Sequence, residues 1–261
     1  MTVIYKEIIQ YFENKDIDIY PDVIHVPGKL KIEKKLKEIY QNYDKKEKLI
    51  IFILDDYEYE IESYENQIIL RTSADKSLLK NNEFILPYLW IEEIEKLDPL
   101  PKTEKPIIGF CGWNSRHRTE IIEKISNDNR LQSNFILRTR FLGGHKSGPV
   151  KRKQFHDNIK QSHFIICNRG SGNFSMRFFE TLASGRIPIV VDTDMQLPLH
   201  KIAPYEEVII MEKTVEKVIE KLLFVWENKN IEKIQQDCFE FYEKYLHYKS
   251  YAQWLYQEIT N

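Results

Sequence analysis

The chain has 261 residues, 42% of them hydrophobic and 30% charged, a balance typical of a folded rather than a disordered protein. This length is enough for one large domain or two small domains with hydrophobic cores. The formal net charge of −2 excludes a general electrostatic attraction to nucleic acid, although local basic clusters still suit a phosphorylated small molecule.

The cysteines and the N-terminal segment indicate in which cellular compartment the protein is expected. Cys111, Cys167 and Cys238 are far apart, and without C-x-x-C spacing neither a zinc site nor a disulfide framework is supported. We therefore expect free thiols in a reducing cytosol. The segment 1–7 carries charge too early for a signal peptide, and no apolar run approaches the roughly 18 residues of a membrane-spanning helix. The sequence predicts a cytoplasmic protein.

The part of the chain before residue 98 predicts a mixed α/β unit. The predicted elements are amphipathic helices at 3–14 and 31–43 and strands at 49–54, 66–71 and 83–87. The uninterrupted apolar run 49–54 is typical of a parallel strand buried on both faces, and Asp55 and Asp56 follow it.

A proline-rich segment marks the predicted domain boundary. Residues 98–106 contain three prolines, which lack a backbone donor and disfavour helix. We predict an N-terminal α/β domain at 1–101, a C-terminal α/β domain at 102–231 and a helical tail at 232–261.

Strands and helices alternate after this segment. The predicted strands are 107–111, 135–138, 164–167, 187–191 and 208–210, with helices at 118–127, 151–161 and 174–184. Such alternation implies right-handed crossovers and a doubly wound parallel sheet. The tail is predicted to be helical over 214–259, and its aromatic-rich helix 232–259 is expected to pack back onto the N-terminal domain, with a dimer interface as the alternative.

The glycines predict where a ligand binds, since eight of the nine lie between Gly109 and Gly185. The densest motif is the loop Asn168, Arg169, Gly170, Ser171 and Gly172. It joins the strand 164–167 to a helix predicted to start near Asn173, with Ser171 or Asn173 as its cap, and to end at Gly185. Ligands of open α/β sheets bind at the carboxyl ends of strands, where helix N-termini favour phosphate.

Charged residues around this loop fit a nucleotide. Arg169 and Arg177 are suited to bidentate binding of a diphosphate. Glu180 follows Arg177 by three residues, so the two share a helix face, and a surface ion pair is one explanation. The alternative is that Glu180 accepts hydrogen bonds from both hydroxyls of a ribose.

A longer pattern extends from residue 162 to residue 198. It consists of S-x-F, R-G, S-x-R-x-x-E, G-x-I-P and L-P, formed by Ser162, Phe164, Arg169, Gly170, Ser175, Arg177, Glu180, Gly185, Ile187, Pro188, Leu197 and Pro198. In this order and spacing the chain resembles the exostosin family, glycosyltransferase family 47. Thr181 stands where that family usually has alanine, the part before residue 98 matches only in general pattern, and the chain is short for the family.

The resemblance implies a GT-B fold of two facing Rossmann-like domains and transfer, with inversion, from a nucleotide sugar, typically a UDP-sugar. The acceptor is expected to be a glycan or another hydroxyl compound, in polysaccharide or glycan synthesis, on the side of the N-terminal domain. Arg169, Ser175, Arg177 and Glu180 are expected to face the donor, with Glu180 near the ribose. No metal or other cofactor is expected. Animal and plant members carry a membrane anchor; without one, a cytosolic bacterial or viral setting is expected.

Two other basic segments are candidates for the donor diphosphate. Arg116 and Arg118 follow the strand 107–111 and are expected to bind phosphate or to belong to a solvated loop. Arg138 and Arg140, together with residues 143–146, are interpreted as a lid that orders on donor binding, with an ordinary flexible loop as the alternative.

Carboxylates supply the remaining candidates. Residues 192–194 form a D-x-D pattern that suits a metal in another glycosyltransferase fold, but here a loop contacting the donor sugar is favoured. The catalytic base is expected from the N-terminal domain, as Asp55 or Asp56, with Asp75 and Glu83 as alternatives. Two adjacent acids at a strand end also commonly form a turn.

Two alternative functions stay open. A GDP-fucose transferase has a similar strand after an acidic helix, but usually shows T-E-K where this chain has Ser175, Met176 and Arg177. A non-catalytic nucleotide- or glycan-binding protein of the same fold is the second. Peripheral association with a membrane or with other glycosyltransferases, and the oligomeric state, are left open; nucleic acid is not expected as a partner.

Overall fold

A computed structural model of the chain describes residues 3–15, 17–20, 24, 28–43, 48–88, 94–140 and 148–260. These residues form two sheets of parallel strands together with helices, so the protein has an α/β fold. One sheet precedes the proline-rich segment 98–106 and the other follows it. None of the helices in these ranges combines the length and the apolar character needed to cross a membrane.

The first sheet has the strand order β1-β2-β3-β4. Its part of the chain consists of α1 Val3–Glu13, β1 Asp18–Ile19, α2 Lys29–Asn42, β2 Leu49–Ile53, β3 Gln67–Arg71 and β4 Glu83–Ile85. All of β2 is buried, because Phe52 packs in one core cluster with Phe12 of α1 and Ile51 in another with Leu36 of α2. The apolar run predicted this strand, whereas β1 was not predicted because two residues carry no periodic signal.

The second sheet has the order β6-β5-β7-β8-β9. Its elements are β5 Ile107–Trp113, α3 Arg116–Asn127, β6 Gln132–Arg138, α4 Pro149–Lys160, β7 Phe164–Ile166, α5 Met176–Ala183, β8 Ile187–Val191, β9 Ile210–Glu212 and α6 Val215–Asn228. The predicted alternation of parallel strands and helices is confirmed. Because β6 and β7 flank β5 on opposite sides, the strand order reverses there, and ligands of open α/β sheets bind at the carboxyl ends of such strands.

The helix α5 begins later than predicted. Its N-cap is Ser175, so the prediction of Ser171 or Asn173 as the cap is wrong. The reason is a contact with the other sheet: the Asn173 N–H donates to the hydroxyl of Ser73 at 2.8 Å, which keeps the preceding loop out of the helix. The helix ends, as predicted, before Gly185, whose φ of +68° favours glycine.

The tail consists of α7 Ile231–Phe241, a π-helical turn at Tyr242–Leu246 and α8 Tyr248–Thr260. The prediction of one helix over 232–259 is therefore wrong, since His247 has an extended backbone (φ −60°, ψ 135°). The tail packs on the first sheet's part of the chain, as predicted: the ring of Tyr256 contacts that of Phe12 of α1, and the Tyr251 hydroxyl donates to the Ile85 carbonyl at 2.9 Å.

Candidate functional site

A cavity of about 360 Å³ lies between the two sheets. The second sheet lines it with residues at the carboxyl ends of β5 and β6 and with α4, α5 and the loop before α5, while Asp56 and Tyr88 line it from the first sheet's part of the chain. Its charged residues, within the described ranges, are Arg118, Arg138, Arg140, Lys151, Arg152 and Arg177 against Asp56 and Glu180. This excess of positive charge suits an anionic ligand.

Two arginines form the buried wall of the cavity. The Nη2 of Arg177 donates to the Cys111 carbonyl at 2.8 Å, and the Nη1 of Arg118 donates to the Trp113 carbonyl at 3.1 Å. Both guanidinium groups lie over the ring of Phe110, at 4.5 Å from its centroid for Arg177 and 5.6 Å for Arg118. The Nε of Arg177 is buried with no hydrogen-bond partner, and neither arginine forms an ion pair within the described part of the chain.

The electrostatics of this wall favour an anion. Burial, and then the charge of Arg177, lowers the pKa of Arg118 to about 9. Burial also lowers the pKa of Arg177 below its ordinary value. Both side chains nevertheless stay protonated at neutral pH, because arginine starts from a very high pKa. Two buried cations that form no ion pair among the described residues are costly, and a bound anion relieves that cost.

Glycines make room at two contacts around the cavity. A Cβ on Gly112 would come within 2.6 Å of the Nη2 of Arg177, so a side chain there would displace the guanidinium. A Cβ on Gly172 would lie 2.9 Å from the Ser73 hydroxyl and 3.0 Å from Asp56, across the boundary between the two sheets. Because Gly112 has no side chain, the guanidinium group of Arg177 can lie against the end of β5. Because Gly172 has none, the loop before α5 can lie against the first sheet's part of the chain.

Glu180 pairs with an arginine that was not predicted. The Nη1 of Arg152, in the first turn of α4, donates to the Oε1 of Glu180 at 2.8 Å. The alternative of a surface ion pair between Arg177 and Glu180 is wrong, because both side chains are buried and Glu180 has this other partner. The available signal for Arg152 was the basic run 151–153 at the start of a predicted helix.

The carboxylates proposed as a base are in different environments. Asp56 lines the cavity, and its Oδ1 accepts a hydrogen bond from the Tyr88 hydroxyl at 3.2 Å. Asp55 does not line the cavity; its Oδ1 accepts from a backbone N–H two residues later at 2.8 Å, a turn-forming contact. Asp75 likewise caps a short turn, and Glu83 is buried in an ion pair with an arginine of β3. Of these four carboxylates, only that of Asp56 lines the cavity.

Three residues predicted to bind the donor lie outside the cavity lining. Arg169 forms a two-pronged ion pair with Glu58, which ties the loop before α5 to the first sheet's part of the chain. The side chain of Asn168 is buried, and its Oδ1 accepts from the Val191 N–H at 3.0 Å. Arg116 is exposed at the start of α3. The predicted donor-binding residues that do line the cavity are Arg118, Arg138, Gly170, Ser171, Gly172, Ser175, Arg177 and Glu180.

Both carboxylates of the D-x-D segment form ion pairs with lysine side chains. Asp192 and Asp194 form ion pairs with Lys76 and Lys213, at 2.7 to 3.5 Å. The described residues contain no group of three or more histidine, cysteine, aspartate or glutamate side chains arranged to hold a metal ion. The predicted lid residues 143–146 lie outside the described residues.

A scan against models of known protein families gave no match, and a search of curated proteins found no significantly similar sequence.

Proposed function

We propose that the protein is an inverting glycosyltransferase with the GT-B arrangement, which transfers a sugar from a UDP-sugar to a glycan or another hydroxyl acceptor. One observation carries the proposal: a cationic cavity at the carboxyl ends of parallel strands is lined on one side by two buried guanidinium groups, which form no ion pair among the described residues, and on the other by a carboxylate of the first sheet's part of the chain. Guanidinium groups, in place of a metal ion, neutralise the diphosphate in this proposal.

The residues have complementary roles in the transfer. Arg118, Arg177 and the N-terminus of α5 bind the diphosphate, where the first N–H groups of a helix lack partners within the helix. The acceptor oxygen forms a bond to the anomeric carbon while the bond to the diphosphate oxygen breaks on the opposite face, which inverts the configuration. Asp56 takes the proton of the acceptor hydroxyl. The arginines stabilise the charge that develops on the leaving diphosphate.

The test of this proposal is calorimetry with the full chain and UDP, followed by assays of UDP release from a panel of UDP-sugars with varied hydroxyl acceptors. We expect UDP to bind and to outcompete GDP. Tighter binding of GDP would instead support the fucosyltransferase alternative. Nucleotide binding without release from any donor would support a non-catalytic protein, and binding of neither nucleotide would contradict the proposal.

Glu180 is expected to select for the ribose. Because its carboxylate is buried at the cavity and has two oxygens, it can accept from two vicinal hydroxyls while Arg152 holds it in place. We expect wild-type protein to bind UDP about tenfold more tightly than 2′,3′-dideoxy-UDP, and Glu180→Gln to lose most of this difference, since charge-assisted hydrogen bonds are about twice as strong as neutral ones.

The ratio of the two affinities, measured by calorimetry, separates this role from general damage. A misfolded or loosened cavity weakens both ligands together and leaves the ratio unchanged. Glu212→Gln, at the end of β9 and outside the cavity lining, is a matched control, because its carboxylate pairs with Lys221. A Glu180→Gln variant that keeps the full preference for UDP would contradict the ribose contact.

A further inference from the structure

One stretch of the chain has an unusual charge distribution. Residues 129–156 contain no aspartate or glutamate, whereas the average of the chain would place about four there. The same stretch contains seven basic residues, Arg130, Arg138, Arg140, Lys146, Lys151, Arg152 and Lys153. It spans β6 and the start of α4, and four of these residues line the cavity.

Three of the four form a basic rim, defined as Arg138, Arg140 and Lys151. The Nη2 of Arg138 donates to the Lys151 carbonyl at 3.2 Å and to the Gln154 side chain at 3.1 Å, which fixes the end of β6 against the first turn of α4. The side chains of Arg140 and Lys151 are exposed. The rim thus lies where the cavity opens to solvent.

The first turn of α4 lacks the negative charge that is favourable at the N-terminus of a helix. It contains no acidic residue, and its N-cap residue, Gly148, has no side chain that could accept a hydrogen bond from the first N–H groups of the helix. The N-terminus of a helix carries a partial positive charge, so the basic residues that follow are repelled there. A bound anion offsets this repulsion.

The diphosphate of a nucleotide sugar does not account for the rim. Its two negative charges match Arg118 and Arg177, and Arg152 is already paired with Glu180. The rim residues have no carboxylate within ion-pair distance in the described ranges, and the sequence of 141–147 adds no acidic residue. Arg138 ends β6, which β5 separates from β7, so these two strands lie two strand spacings, about 10 Å, apart across the sheet.

We propose that the acceptor is an anionic glycan and that the basic rim binds its charged group, a carboxylate, phosphate or sulfate. This inference rests on the proposed function, since it assigns the buried arginines to the donor. An acceptor that extends from the cavity into solvent passes the exposed rim, whereas the donor diphosphate lies at the buried wall.

The experiment compares tetrasaccharides that differ only in charge, by calorimetry at saturating UDP. The probes are a hexuronate tetrasaccharide, its carboxyl-reduced neutral counterpart and a phosphorylated derivative of that neutral counterpart. We expect one or both anionic probes to bind at least tenfold more tightly than the neutral one, with a preference that weakens as salt is raised. In Arg140→Gln/Lys151→Gln we expect this ratio to fall to about threefold or less.

A matched control removes two charges from the same stretch outside the cavity. Arg130 pairs with Asp128 and Lys153 with Asp157, and neither lines the cavity, so Arg130→Gln/Lys153→Gln is expected to keep the wild-type ratio. Equal or undetectable binding of the three probes overturns the inference, as does a ratio lost equally in both double variants.

Two further measurements show which assignment is wrong if the tetrasaccharides show no charge preference. A charge preference found between UDP-glucuronate and UDP-glucose, but not between the tetrasaccharides, places the anion on the donor and overturns the assignment to the acceptor. Failure of wild-type protein to bind UDP contradicts the proposed function and the inference with it. Normal UDP binding without a charge preference contradicts the inference alone.

Discussion

Replacing Arg177 by methionine is expected to weaken UDP binding by about 10- to 150-fold, the effect of losing roughly 1.5–3 kcal/mol of hydrogen bonding to a charged group. The thermal midpoint of the ligand-free protein is expected to change little. Burial lowers the pKa of Arg177, which means that protonation of its side chain is less favourable in the folded protein than in the unfolded chain. Removing the charge relieves that cost and offsets the lost hydrogen bonds to the carbonyls of Cys111 and Ile166.

The matched control is Arg186→Met. Arg186 is also buried, burial lowers its pKa to about 10, and it donates only to the carbonyls of Gly185 and Lys160, among the described residues. It does not line the cavity, so UDP affinity is expected to be unchanged. A large loss of thermal stability in Arg177→Met, with UDP affinity intact, would instead show that Arg177 has only a structural role. Arg177→Lys is expected to have intermediate affinity, since lysine keeps the charge without bidentate donors.

Apart from the two-residue strand β1, the strands of both sheets could be predicted because their signal is local. A parallel strand covered on both faces needs apolar residues at successive positions, and the runs at β2 and β8 leave little choice of structure. The position of the cavity followed from the same information, since residues after parallel strands gather at one edge of the sheet. Arg118 and Arg138 were identified in this way.

Contacts between distant segments could not be predicted. Arg169 was expected at the donor, but its ion-pair partner Glu58 lies 111 residues earlier, and no local pattern links them. The start of α5 was misplaced for the same reason, because the hydroxyl that binds the Asn173 N–H belongs to Ser73. In each case a side chain of the other sheet's part of the chain decides the local structure.

Asp56→Asn is expected to lower kcat by about 10²- to 10⁴-fold, the usual contribution of a general base, with UDP affinity nearly unchanged. Asparagine has nearly the same shape and can still accept the hydrogen bond from the Tyr88 hydroxyl, but it cannot take a proton at neutral pH. Turnover is followed as UDP release with an acceptor identified in the donor and acceptor panel, and UDP affinity is measured by calorimetry on the same preparation.

Two other variants make this prediction specific to one carboxylate. Glu60→Gln removes an acid from the same segment after β2, where its side chain is 60% exposed and pairs with Lys80, and it is expected to keep normal turnover. Asp55→Asn tests the adjacent acid, whose contact with a backbone N–H an amide oxygen can also make. A larger loss of kcat in Asp55→Asn than in Asp56→Asn would show that the base is assigned to the wrong residue. Loss of UDP affinity in Asp56→Asn, in parallel with turnover, would show that Asp56 shapes the cavity instead of taking the proton.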